Sequence, residues 1–314
     1  MNTNYQLNAM NVGGYVSSEH FDKVTTAYQE QFPGSVNFVT VKKEIILNVL
    51  NSHEWVSGIR FMYGLDDPMN PNSLRVFLIP CTHTSENVSL SKPLVTKTGY
   101  YDNTGLLNSL NDVVNAIAAY VKQMTKRNPD LVYKQVTRGN FLGKNSLLDL
   151  TSKENDEFIS IHFGLENLVL KPVFVPSDFN GRIFGVDFMN FTEPCPSRCN
   201  DDPGLCVAEL SVLRFSIEEE LNVFRNFRDN ILLNLENGEE LFEMYYFISP
   251  LIAALINDSS SKEFELKNIY FQKIVPFKEL LISNKYEEAN YLLNETFKEW
   301  VDQWQVSLNY HEIY

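Results

Sequence analysis

Two kinds of hydrophobic pattern alternate along the first two thirds of the chain. In Leu107–Arg127, apolar residues recur at steps of three and four: Leu106, Leu110, Val113, Val114, Ile117, Ala118 and Val121. That spacing predicts a helix with one apolar stripe, capped by Asn108 or Ser109. Glu19–Phe32 reads as a comparable helix ending before Pro33, and Val41–Leu50 as a short one with Thr40 as its cap. Between the helices stand β-branched and aromatic runs, Ile59–Tyr63 and Ile159–Phe163, which predict strands. Gly64 and Gly164 are expected to end these strands at turns, and Asp66–Asn72 reads as a loop.

The pattern repeats. Ile59-Arg-Phe-Met-Tyr-Gly-Leu-Asp66 aligns with Ile159-Ser-Ile-His-Phe-Gly-Leu-Glu166, an offset of 100 residues. Ungapped, the same offset pairs Leu47 with Leu147, Leu50 with Leu150 and Ser52 with Ser152. A small shift then aligns Val76–Pro80 with Val173–Pro176. The expected fold is α+β: two tandem repeats, each helix-strand-helix-strand-strand, followed by an all-helical C-terminal segment. The expected segments are 1–104, 105–194 and 195–314.

The C-terminal segment reads as four helices. Ile217–Leu235 begins after Ser216, with Glu218–Glu220 in its first turn, and stops at Asn237-Gly238. Glu239–Ile256 is far more apolar and should kink near Phe247 because of Pro250. Glu263–Ser283, with Pro276 inside, and Tyr286–Gln305 follow.

Charge changes this picture in one respect. The formal net charge is -14, of which -11 lies from Cys195 onward, where 21 Asp/Glu face 10 Lys/Arg. Such a surface repels phosphate backbones, so no nucleic-acid partner is expected. The first twenty residues lack the basic and apolar runs of a secretory leader, and no run of roughly 18 apolar residues occurs. With four unevenly spaced cysteines, these features point to a cytoplasmic protein with reduced thiols.

Candidate chemistry is sparse. Cys195, Cys199 and Cys206 lie in a loop rich in Pro, Asn, Asp and Gly, and three thiolates could begin a zinc site. Their x3 and x6 spacings are not the usual pairs, and His162, Cys81 or Asp201 would have to complete the set. Ordinary thiols are the simpler reading, and no other cofactor is expected. His162 could face a cleft as base or ligand, or stand on the polar face of its strand, where its repeat partner is Met62. No nucleophile elbow, phosphate-binding loop, dinucleotide fingerprint or zinc-protease helix is present. In the tail, Arg225, Arg228, Tyr245 and Tyr246 could form a partner-binding face. The i,i+4 spacing of Arg225 and Asp229 equally suits an intrahelical ion pair, and the tyrosines suit a core.

Leu205-Cys206-Val207, Phe224-Arg-Asn-Phe-Arg-Asp-Asn-Ile-Leu-Leu233, Gly238, Tyr245-Tyr246, Ser249-Pro250 and Ile252-Ala253 carry a resemblance. Over about 50 residues they resemble the CFI-box C-terminal domain of bacterial proteins. One segment departs from it: Ala208–Arg214 stands where that family has Thr-Ala-x-x-Gly. The repeats, ending in Pro194-Cys-Pro-Ser-Arg-Cys199, resemble small uncharacterised proteins of Bacteroidetes type. The resemblance implies a bacterial protein and no particular reaction.

Three functions follow as expectations. The first is a non-catalytic scaffold or interaction module that binds a protein partner or a second copy of itself. The second is a hydrolase-like enzyme with a site between the repeats near His162 and Cys195. The third is membrane-surface action by Glu239–Ile256, against which its acidic flanks argue. The balance favours the non-catalytic role.

Overall fold

The computed structural model describes residues 9–54, 56–70, 72–82, 92–93, 99–128, 136–152, 157–166, 169–183, 187–190, 193–195, 212, 218–258 and 261–307. The chain is mixed α+β and divides into two compact units, Met1–Ser197 and Arg198–Tyr314.

In the first unit the predicted order of elements appears twice. Copy one has α1 (Ser18–Gln31), β2 (Phe38–Lys42), α2 (Lys43–Leu50), β3 (Val56–Leu65) and β4 (Leu74–Thr82). Copy two has α3 (Leu110–Arg127), β8 (Gly139–Gly143), α4 (Lys144–Thr151), β9 (Phe158–His162) and β12 (Val173–Ser177). Short strands fill in between: β1 (Gly14–Val16), β5 (Lys92–Pro93), β6 (Tyr100–Asp102), β7 (Leu107–Asn108), β10 (Leu165–Glu166), β11 (Val169–Leu170), β13 (Phe188–Asn190) and β14 (Glu193–Cys195).

The copies are interlocked. The five-stranded sheet runs β1-β13-β12-β9-β2, so β2 of copy one completes the strand pair of copy two. The seven-stranded sheet runs β14-β8-β3-β4-β6-β7, with β5 on β4, so β8 of copy two completes the strand pair of copy one. The registers are equivalent: Phe38 opposes His162 and Lys42 opposes Phe158, while Gly139 opposes Met62 and Gly143 opposes Gly58. The first helices are exchanged too. Phe21 and Val24 of α1 pack on Val173, Val175 and Phe188, whereas α3 lies on β3.

Corresponding residues do corresponding work. Ser17 and Ser109 cap α1 and α3 through the backbone N–H of His20 and Asp112, each at 3.2 Å; Asp112 completes a capping box. Eleven residues after each cap stands a buried tyrosine. Tyr28 packs on Phe163 at 5.6 Å and Tyr120 on Tyr63 at 5.7 Å between ring centroids. The hairpins of both copies are clasped by an acid and a base: Asp66 with Arg75 at 2.5 Å, and Glu166 with Lys171 at 2.7 Å. That clasp holds the Glu166 carboxyl below its usual range. Where the sheets meet, Phe61 and Phe174 touch edge to face at 4.8 Å, and Tyr63 and Phe163 at 5.5 Å.

Three local expectations are corrected. Thr40 does not cap a helix; it lies in β2 and donates to the Phe179 carbonyl at 3.4 Å. The strand passes directly into α2, leaving no capping turn, and the Lys43 N–H donates to the Glu157 carbonyl at 3.0 Å. The offset over this strand and helix is one residue longer than the ungapped alignment, since Lys43 and Lys144 both open their helices. Ile46 and Val49, not Leu47 and Leu50, therefore match the buried Leu147 and Leu150. Gly64 does not end β3, which continues to Leu65. A Cβ there would stand 2.6 Å from the Phe77 ring and 2.8 Å from Ala116 of α3. At Gly164 it would stand 2.5 Å from the Lys171 carbonyl and 2.7 Å from Val24 of α1. The paired glycines are the points where each helix crosses the other copy's strand.

The second unit is helical: α5 (Glu218–Asn226), α6 (Gly238–Asp258), α7 (Lys262–Ile269), α8 (Val275–Ile282) and α9 (Tyr286–Ser307). Two of the expected long helices are interrupted. Phe227–Ile231 and Tyr270–Ile274 are π-helical turns, each closed by an N–H donating five residues back, Leu232 to Phe227 and Val275 to Tyr270. Pro276 explains the second, because a residue lacking an N–H follows at the start of α8. Helix α6 runs continuously through Pro250. Asn237 and Asn284 adopt positive φ, 55° and 54°, which reverses the chain after each helical stretch. Among the described residues, no helix is long and apolar enough to cross a membrane.

Gly64→Ala and Gly164→Ala should each lower the unfolding free energy by about 1–3 kcal/mol, the usual cost of overpacking. Urea denaturation of each variant measures it. A change of only a few tenths at both sites would show that the helix crossings are not the tight contacts described.

Candidate functional site

The second unit contains an apolar pocket. It begins on α5, where Leu221, Phe224 and Arg225 recur at steps of three and four and so share one face. The π turn that follows, Phe227–Ile231, contributes Phe227 and Arg228 to the same lining. Leu232 closes that side. The second π turn supplies Lys273 and Ile274, and α8 supplies Phe277. Tyr245 comes from α6, and Leu292, Leu293, Thr296, Phe297 and Trp300 come from α9. The cavity volume is about 80 Å³.

Its walls are fixed by aromatic contacts. Phe277 stacks on Phe224 at 5.8 Å and meets Phe227 edge-on at 5.3 Å. Phe297 contacts Tyr245 at 6.3 Å and Trp300 at 6.0 Å. The cations are held from outside the cavity. Arg228 forms a two-pronged bond with Asp229, at 2.8 Å and 3.1 Å, and Lys273 pairs with Glu299. A neighbouring polar cavity of about 230 Å³ shares Lys273 and Trp300, and is also lined by Glu265, Asn268, Ile269, Gln272 and Glu299.

Three of the four tail residues singled out from the sequence, Arg225, Arg228 and Tyr245, thus converge on one pocket. The side chain of Tyr246 lies outside the described residues. The contributions of α8 and α9 were not legible in the sequence. Pro276 within a helical pattern was the one local signal that pointed there.

The first unit places its candidate residues apart. His162 ends β9 beneath α1, with Phe38 stacked on it at 5.1 Å and Phe21 edge-on at 5.2 Å. Its Nε2 is 3.0 Å from Ser160 Oγ. Ser160 is fully buried and also bonds the Val175 carbonyl at 3.3 Å, so its hydroxyl is closed to a substrate. The pair satisfies a histidine set in an apolar layer. Burial pushes the His162 imidazole down to about 4.

Cys195 belongs to the other sheet, on β14 opposite Gly139. The Cys195 side chain, Cys199, Cys206 and Asp201 lie outside the described residues. Cys81, a candidate fourth ligand, is a buried thiol packed with Val12 and Phe141, and it donates to the Ile79 carbonyl at 3.4 Å. Among the described residues, no three His, Cys, Asp or Glu side chains are grouped to hold a metal ion.

Comparison with protein-family models, with curated proteins and with solved structures finds no match to this chain.

The His162 environment has a consequence in solution. Its folded pKa lies below the unfolded value, so the unfolded chain binds the extra proton between about pH 6.5 and pH 4. Stability should therefore fall as pH drops through that window, by about 3 kcal/mol at the limit. His162→Met, which installs the residue of the equivalent copy, should remove that part of the acid dependence. Urea titrations at pH 7.0 and 4.5 test this, and an unchanged pH slope would contradict it.

Proposed function

We propose that this chain is a non-catalytic protein-interaction module whose helical unit seats an apolar side chain of a partner. The carrying observation is the aromatic-walled pocket assembled at two π-helical turns, each at a break in a regular helix. A π turn gives up regular helical hydrogen bonding and is frequent at functional sites. A cavity of about 80 Å³ is well below the roughly 300–1,000 Å³ of a small-molecule pocket and suits one small apolar side chain, such as an anchor at the centre of an interface.

The CFI-box-like residues and the pocket coincide. Phe224, Arg225, Phe227, Arg228, Leu232 and Tyr245 carry the resemblance and also line the cavity. A bacterial, cytoplasmic setting belongs to the same reading, supported by that resemblance and by the acidic composition. The hydrolase-like alternative has less support, since Ser160 is closed off and His162 and Cys195 stand in different sheets.

Selection from a random peptide library against the full chain should enrich sequences sharing one apolar anchor. Leu293→Trp, which fills the cavity, should reduce their binding at least about tenfold, or 1.4 kcal/mol. Thermal unfolding confirms that the variant is folded, and Leu292→Trp serves as a second block. No shared anchor, or equal binding to both blocked variants, would sink the interaction reading.

A further inference from the structure

We propose that the outer edge of β2 receives an extended segment of a protein partner as an added antiparallel strand, with an acidic residue of that segment opposite Lys42. This surface lies in the first unit, and the inference stands apart from the pocket of the helical unit.

The two large sheets match strand for strand. The order β7-β6-β4-β3-β8 in one corresponds to β1-β13-β12-β9-β2 in the other. The first sheet then carries one strand more, β14, on the outer edge of β8. The equivalent edge, that of β2, carries no strand among the described residues.

The hydrogen-bond phase of β2 sets what this edge offers. The Phe163 N–H donates to the Asn37 carbonyl at 2.9 Å, and the Lys43 N–H to the Glu157 carbonyl at 3.0 Å. Val39 and Val41, in phase with them, therefore turn their backbone groups toward β9, and Phe38, Thr40 and Lys42 turn theirs outward. On β8 the phase is the same. The Tyr63 N–H donates to the Arg138 carbonyl at 2.7 Å, so Gly139, Phe141 and Gly143 face outward. There Gly139 and Phe141 oppose Cys195 and Glu193 of β14, and the Gly143 N–H donates to the Val12 carbonyl at 2.9 Å. Phe38, Thr40 and Lys42 are the equivalents of those three residues. Among the described residues, no backbone group meets them on the outer side.

The rest of the edge suits a short strand. β2 has five residues, against three in β1, two in β7 and three in β14, the other end strands of the large sheets. Short end strands are a common protection against pairing, and β2 lacks it. Lys42 is exposed and forms no ion pair among the described residues, so an acidic residue opposite it is favoured. Phe38 and Thr40 share its face and are half-buried, a surface for β-branched side chains.

A second copy of the chain fits this edge less well. The Thr40 hydroxyl donates to the Phe179 carbonyl at 3.4 Å, so the turn carrying Phe179 lies on that face. Pairing β2 with β2 would set two such turns, each with an exposed Phe179, side by side across facing Thr40 residues. A short partner strand brings no second turn.

The test uses the isotope-labelled full chain and the blocked peptide acetyl-Glu-Thr-Val-Thr-Val-amide. Laid antiparallel to β2, its first residue faces Lys42, and its third and fifth face Thr40 and Phe38. Binding should shift the amide signals of Phe38, Thr40 and Lys42. Proline at the fourth position, the place Pro194 takes in β14, should leave binding within about twofold, because that N–H points away from β2. Proline at the third position removes a donor to Thr40 and should weaken binding at least about tenfold. Lys in place of the first Glu should weaken it about twofold to fivefold, and Lys42→Glu should reverse that preference. Thr40→Pro removes an outward N–H while sparing the ladder to β9, and it should abolish binding; thermal unfolding checks that this variant folds. Equal weakening by proline at the third and fourth positions overturns the added strand, as does binding that shifts only other elements, or no binding at all. An unchanged preference in Lys42→Glu overturns the acidic residue. A chain that sediments as a dimer, and as a monomer with Thr40→Pro, gives the edge to a second copy and overturns the partner.

Discussion

The first unit depends on one constraint: neither strand pair can complete its sheet or cover its outer face from its own copy. β3-β4 needs β8 as neighbour and α3 as cover, and β9-β12 needs β2 and α1. A strand pair without these would expose open hydrogen-bonding edges and an apolar face. Exchange of a helix-strand arm solves both problems twice, with equivalent registers. It also explains why the paired glycines are required. Each arm's helix must cross the other copy's strand closely, and only a residue without Cβ lets it.

The exchange leaves its mark on the core. The clasps at Asp66–Arg75 and Glu166–Lys171, the caps at Ser17 and Ser109, and the tyrosines at 28 and 120 recur in both halves. Individual positions have diverged within that frame. Met62 and His162 occupy equivalent register positions, opposing Gly139 and Phe38. One is an ordinary core residue, whereas the other is a histidine kept neutral by its apolar surroundings and satisfied by Ser160. A polar residue is therefore accommodated at one of two equivalent positions, where a hydrogen-bond partner lies within reach.

The helical unit uses a different device. A regular helix would have met Pro276 without relief. The π turn before it resolves that conflict, and both π turns contribute residues to the lining of the cavity.

The sequence by itself determined the local elements. Periodicity placed the helices, β-branched runs placed the strands, and the recurring Gly-Leu-acid ending announced the duplication. These are properties of residues near each other in the chain. Even so, Thr40 misled, because a cap is recognised by residue type while a strand running directly into a helix is a matter of backbone path. Tertiary structure alone decided that the copies exchange arms, since a strand's pattern records which faces are buried and not whose neighbour it is. It likewise decided that Arg225, Arg228 and Tyr245 share a pocket with Lys273 and Trp300. Those side chains are separated by up to 75 residues of chain, and nothing in local spacing encodes a convergence that only packing between helices can produce.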